Sequence, residues 1–285
     1  MSDRRGFARF QSAWHGCLRW ALSGILLLYF SAILQAQTTI SEMPAANPGR
    51  PTVSTPATLT PAGYLQFENG GLFAAQSPEF SHRLGIEQVT KLSVDTRVQF
   101  LALFEPFTHS TGAEVLGNGP GDVFTGMQAV ILPGKGKRPT ISAQYLRRLY
   151  ASPAPDLDLG SFVQSATILL SDDVAGFHFD INGLVMEQQD DITKVRQAQF
   201  AQTLSVSHQI GNFTVSGELW HFAQPLTHGA AVGNLWAVSY PVRKNLVIDG
   251  GLDHGFTSTS TSWEGFAGFT YLLPHRLWRQ RNGFY

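Results

Sequence analysis

The chain has 285 residues, 43% hydrophobic, 12% aromatic and only 14% charged, with Lys+Arg 20 against Asp+Glu 21. That hydrophobicity and near balance of charge exclude a disordered chain, and the lack of any basic block excludes a basic nucleic-acid binder. A single apolar run is long enough to attempt a helical span, so a bundle of membrane helices is excluded too.

Arg4, Arg5, Arg9 and Arg19 form a basic opening, followed by the uncharged, mostly apolar run Trp20 to Leu34 and by Ala36. This is the pattern of a secretory signal peptide over residues 1–36, cut before Gln37. An uncleaved anchor is the alternative. Cys17 precedes the apolar run, where a lipid-attachment cysteine would not stand, and no cysteine remains beyond it. The segment carries four Arg and one Asp, so 16 basic and 20 acidic residues lie beyond it. Residues 37–61, rich in Thr, Pro, Ala and Ser, read as an extended periplasmic lead-in with little order, unless they plug the lumen of a barrel.

From Gly63 onward the hydrophobic period is two. Phe177, Phe179, Ile181 and Val185 alternate with His178, Asp180, Asn182 and Leu184, and Phe200, Leu204 and Val206 with Gln199, Thr203 and Ser205. Such alternation marks strands with one apolar and one more polar face. About twelve segments carry it, near 63–74, 81–93, 96–105, 121–132, 139–150, 161–171, 176–187, 195–208, 213–222, 230–240, 245–255 and 262–273. Short connectors, such as Gly134-Lys135-Gly136-Lys137 and Ile210-Gly211-Asn212, take turns with longer polar loops. An even number of strands of about ten residues, with short turns on one side, is the build of an antiparallel transmembrane β-barrel of the outer-membrane type. The expected division is therefore a barrel over 62–273 and a C-terminal tail over 274–285.

A soluble β-sandwich also alternates, but its strands average five or six residues. The polar faces here carry Gln, Asn, Ser and Thr rather than dense Lys and Glu, as a wet lumen would. Tyr64, Phe73, Phe104, Tyr145, Tyr150, Phe162, Phe177, Trp220, Phe222, Tyr240, Trp263 and Tyr271 gather near strand ends, where interfacial girdles would place them.

Arg50-Pro51-Thr52, the opening Pro61-Ala62-Gly63-Tyr64-Leu65-Gln66-Phe67-Glu68, the turn Gly121-Asp122-Val123 and the closing Gly265-Phe266-Ala267-Gly268-Phe269-Thr270-Tyr271 together resemble the outer-membrane proteins of the "MetA pathway of phenol degradation" family. The resemblance implies a channel- or transporter-like barrel in the cell outer membrane. One departure is the stretch from Pro274 to Tyr285, since such barrels end on the aromatic of the last strand. Either the Phe269/Tyr271/Leu273 alternation or the terminal Phe284-Tyr285 would then serve assembly.

No metalloprotease, nucleophile-elbow, Cys-x-x-Cys or phosphate-loop pattern occurs, so neither an enzyme nor a cofactor is expected. His208 beside Ser207, and His254 near Asp253, are the only candidates for a lipid-modifying site on an outer wall. Asp249 and Asp253 share a face, which suits lumen charges better than a cation site. Charge facing lipid costs about 2–4 kcal/mol at mid-membrane. The inward set is therefore Glu68, Glu87, Arg97, Gln99, Asp122, Arg148, Asp180, Asn182, Gln199, Glu218, Asp249, Asp253 and Glu264. Acids dominate it, which predicts a weak preference for cations carried by Asp180, Glu218 and Asp249. The leading expectation is a channel for small solutes, hydrophobic or aromatic ones among them. A closed structural or binding barrel comes next, and a lipid enzyme last. The expected partners are the lipid bilayer, the solute and the barrel-assembly machinery.

Overall fold

The computed structural model describes residues 43–112, 118–153, 162–190, 193–225 and 229–278. The expected signal peptide with Cys17, the cut before Gln37 and the terminal Phe284-Tyr285 lie outside them. The described residues form thirteen β elements, in order β1 (Leu65–Ala75), β2 (His82–Ser93), β3 (Val98–Thr111), β4 (Asn118–Gly119), β5 (Val123–Leu132), β6 (Thr140–Tyr150), β7 (Phe162–Val174), β8 (Phe177–Gln189), β9 (Arg196–Ile210), β10 (Phe213–Gln224), β11 (Gly229–Arg243), β12 (Leu246–Gly255) and β13 (Trp263–Leu272). All but the two-residue β4 are long, and each long strand pairs antiparallel with its neighbours along the chain. The last returns to the first, with Asn69 opposite Phe269 and Gly70 opposite Gly268. The sheet is thus a closed twelve-stranded antiparallel barrel, as the alternation predicts. Closure leaves no long unpaired edge.

One rim carries the short connections 94–97, 133–139, 175–176, 211–212 and 244–245, and the other carries 76–81 and 256–262. The tightest is Ala175-Gly176, both with positive φ (53° and 83°), the geometry whose twist matches that of paired strands. Outward positions are apolar and exposed, among them Phe100, Ile168, Phe200, Leu219, Trp236 and Leu252. Leu204 is also exposed on this face, whereas its neighbours Thr203 and Ser205 are buried.

The lead-in is not a loose tether outside the barrel. Residues 43–61 are extended without regular structure and run inside the lumen. The reason is polar satisfaction: inward Gln, Asn, Ser and Glu side chains need partners, and an extended backbone supplies a donor and an acceptor at each residue. The segment starts at the short-turn rim, where the Ala46 amide donates to the Lys244 carbonyl (2.8 Å), and returns there before β1, where the Gly63 amide donates to Ser93 O (2.7 Å). The tail also docks on this rim. The Leu277 amide donates to Gly63 O (2.8 Å), and Trp278 Nε1 to Val94 O (3.2 Å).

Candidate functional site

The segment inside the barrel visits the wall almost strand by strand. The Asn47 amide donates to Gln66 Oε1 on β1 (2.9 Å), and Gln66 Nε2 donates back to Asn47 O (2.7 Å). The amides of Val53 and Ser54 each donate to the Glu218 carboxylate on β10 (both 2.7 Å), and the Ser54 hydroxyl adds a bond of 2.6 Å. The Thr55 amide donates to Asn182 Oδ1 on β8 (2.6 Å), whose amide group returns a bond to Thr55 O (3.0 Å). The Ala57 amide donates to Ser171 Oγ on β7 (2.7 Å), Gln128 on β5 donates to Pro56 O (2.9 Å), and Thr60 donates to Gln99 on β3. These wall positions lie in the half of the strands nearer the short-turn rim. The segment is a stopper set across that half.

Arg50 anchors it. Its Nε lies 3.3 Å from Asp249 on β12 and its Nη1 3.3 Å from Glu87 on β2. The guanidinium stands 5.8 Å from the Phe266 ring centroid. It reaches this place because β1 and β13 have no side chain there: a Cβ at Gly70, or at Gly268, would fall on the guanidinium. A neighbouring ion pair joins Lys91 to Glu68.

Above the stopper is a cavity of about 420 Å3 whose floor is formed by Arg50, Thr52, Val53 and Thr55. One wall is charged, with Arg83, Glu87, Lys91 and Glu105. The facing wall is apolar, with Leu146, Phe162, Met186 and Phe222 in one buried cluster with Trp220. Arg83 Nη2 holds both oxygens of Glu105 (2.8 and 2.7 Å). A side chain at Gly121 would collide with Glu105, so the Gly121-Asp122 turn makes room for that pair. Asp122 accepts from the Ser152 amide (2.6 Å) and pairs with Arg148 (3.3 Å).

The structure thus brings Glu68, Glu87, Asp122, Asn182 and Arg50 to the cavity, and Gln99, Asn182, Glu218 and Asp249 to the stopper. Arg148 pairs inside with Asp122. Asp180 is buried, accepting from Ser171 and facing His178 Nε2 at 3.3 Å. Gln199 is fully buried on the inner face. Asp253 accepts from Trp220 Nε1 (3.1 and 2.9 Å), and Glu264 is its register neighbour on β13. Arg97 differs from the expectation. It precedes β3 at the short-turn rim, is exposed, and its Nη1 reaches Val130 O and Ile131 O (both 3.4 Å). The strand there starts only at Val98, so Arg97 is not a lumen residue. Phe162, Trp220 and Phe222 also depart from the expectation: all three are buried inward rather than set in an outer girdle.

Ser207 and His208 are consecutive strand residues and therefore point to opposite faces. His208 is exposed, its ring tilted against that of Phe177 (4.7 Å) and bonded through Nδ1 to Gly176 O (2.8 Å). His254 stacks on Trp263 at 4.1 Å while Asp253 points inward, so neither His meets its expected partner.

Sequence reasoning missed Arg50, Arg83, Lys91 and Glu105. Three of these were readable. Arg83 and Lys91 share the parity of Glu87, and Glu105 shares that of Gln99. Arg50 lies in an aperiodic segment, where period carries no signal.

No protein-family model matches the chain, and no curated protein matches it. Solved structures do. The COG4313 outer membrane channel from Pseudomonas putida F1 is 12% identical, covering 80% of this chain and all of that one, with a TM-score of 0.55. The NanC porin is also 12% identical, over 73% of this chain and 98% of that one, with a TM-score of 0.48. The first likeness establishes an outer-membrane-type barrel fold.

Proposed function

We propose that the protein is an outer-membrane channel for small apolar or aromatic solutes, closed at rest by its own residues 43–61. The apolar outer face over strands of ten to fifteen residues suits a bilayer, and charge is kept to the inner face and rims, as lipid requires. The observation that carries the reading is the cavity of about 420 Å3 with an apolar wall above a removable polar floor. That volume falls within the range of pockets that hold small molecules. The floor is held by hydrogen bonds and ion pairs and contributes no strand to the sheet, so it can leave without opening the barrel. The likeness to a channel of equal fold supports the same reading.

Planar-bilayer recordings test it. The wild-type protein should conduct poorly, and a variant lacking Arg50 and Glu218 side chains should conduct ions. In that variant 2-phenylethanol should partly block the current while glycerol at the same concentration does not. A stopper-released barrel that still passes no current would leave the second reading, a closed binding barrel, which the contacts around the stopper favour.

A further inference from the structure

We infer that the lumen cavity is a binding site for organic monocations, with the Glu87 carboxylate taking an ammonium head and the opposite wall taking an apolar or aromatic body. The inference rests on the channel reading above and names the solute class of the same site.

The first observation is a count of charge. Three cations meet at the charged wall, Arg50, Arg83 and Lys91, and four carboxylates face them, Glu68, Glu87, Glu105 and Asp249. Lys91 serves Glu68 and Arg83 serves Glu105, which leaves Arg50 shared between Asp249 and Glu87. The adjoining Asp122–Arg148 pair is self-neutral. The wall is one positive charge short. The second observation is where that shortfall is felt. The side chain of Asp249 is 1% exposed and its Oδ2 has no hydrogen-bond partner, a state that costs free energy inside a protein. Glu87 is 39% exposed, the most open of the four carboxylates. Only its Oε2 is engaged, at 3.3 Å from Arg50, so Oε1 is free to accept. A carboxylate in such surroundings attracts a monocation more strongly than it would in water.

The third observation is the facing wall. Leu146, Phe162, Met186 and Phe222 are buried there with no polar atom of their own. An apolar body of one aromatic ring buries its surface against them, and ring faces also attract a cation. An anion would meet the uncompensated carboxylate, and a neutral alcohol would gain the apolar contact without the charged one. The resulting order of affinity is ammonium first, alcohol second, carboxylate last.

Calorimetric titration of the full chain, folded in detergent with empty micelles as blank, tests the ranking with three probes of one shape: 2-phenylethylammonium, 2-phenylethanol and phenylacetate. The ammonium should bind at least about tenfold more tightly than the alcohol, as a charge-assisted hydrogen bond implies, and phenylacetate most weakly. In Glu87→Gln, the preference for the ammonium over the alcohol should be lost, the two binding with equal affinity. Equal binding of ammonium and alcohol by the wild-type protein, or tightest binding of phenylacetate, would overturn the inference without any variant. An ammonium preference that survives Glu87→Gln, in protein whose gel mobility still shifts on boiling, would overturn the role of Glu87. These results separate from the channel reading. Current through the stopper-released barrel stands whichever probe wins, whereas the predicted ranking in a barrel that never conducts would leave the site and remove the channel.

Discussion

At the scale of single residues, two glycines place the anchor of the stopper. Gly70 and Gly268 face each other across the closing pair of strands, and both would strike Arg50 if they carried a Cβ. Gly70→Val should therefore expel the guanidinium from Asp249 and Glu87 while leaving the ladder intact. Gly183 on β8 meets nothing within 4 Å of an added Cβ, so Gly183→Ala is the neutral control. Hydrogen exchange at the amides of residues 49–55 reads the difference. Losing hydrogen bonds to charged groups removes about 1.5–3 kcal/mol, so exchange there should speed by at least about tenfold in Gly70→Val and remain unchanged in Gly183→Ala. Unchanged exchange in both would mean that Arg50 does not anchor the segment.

The two faces of β8 and β9 also predict different damage. Phe179→Arg and Leu204→Arg put charge on the outer face and should lower the folded yield in bilayers, by about 2–4 kcal/mol at mid-membrane. Thr203→Arg points inward, where the Thr203 hydroxyl is hydrogen-bonded to the Ser54 hydroxyl (2.7 Å). It should fold in good yield but displace the stopper, and Asp180→Arg should do the same next to Ser171 and Ala57. Equal loss of yield at all four positions, measured by the heat-dependent shift on gels, would mean that the inner space cannot empty.

At the scale of elements, the strands were legible because burial imposes a period on them and the lead-in was not because nothing does. Each barrel strand must show lipid to one side and lumen to the other, so Asp180, Asn182, Gln199 and Glu218 reveal their face by parity alone. The same parity puts Trp220 and Phe222 on the face of Glu218. An aromatic near a strand end is a weaker signal than its place in the alternation, which is why an outer girdle was the wrong expectation for these two. Arg97 failed for a different reason: the alternation continues on paper past the point where the chain turns. The stopper has no alternation, because its backbone groups bond to side chains scattered over many strands. Its place is dictated instead by the surplus of acceptors on the inner wall. Glu218 concentrates that surplus, accepting from two amides and a hydroxyl at 2.6 to 2.7 Å. Glu218→Ala should release Val53 and Ser54 together, and a protease added to folded protein should then cut within residues 43–61, with the barrel left whole. Cutting as slow as in the wild-type protein would show that the remaining contacts suffice.

At the scale of the whole molecule, the stopper changes what the inner charges do. On sequence alone, Asp180, Glu218 and Asp249 set a weak cation preference, and neutralising them should reduce it. In the folded barrel Glu218 and Asp249 bind the stopper directly, and Asp180 binds the Ser171 hydroxyl that receives the Ala57 amide. All three are buried from the path of an ion. Their neutralisation as Asp180→Asn, Glu218→Gln and Asp249→Asn should therefore act first on opening. Conductance should rise severalfold, since a twelve-stranded lumen freed of its segment lies between filled eight-stranded and open sixteen-stranded barrels. The charge left facing the path is that of Glu87, so the reversal potential under a salt gradient should stay on the cation side in the triple variant. Adding Glu87→Gln should then move it toward zero, because a narrow passage with low-dielectric walls focuses the field of a single carboxylate. A triple variant as closed as the wild-type protein would mean that these acids do not hold the stopper. A reversal potential that shifts in the triple variant and is indifferent to Glu87 would return the selectivity to the buried acids.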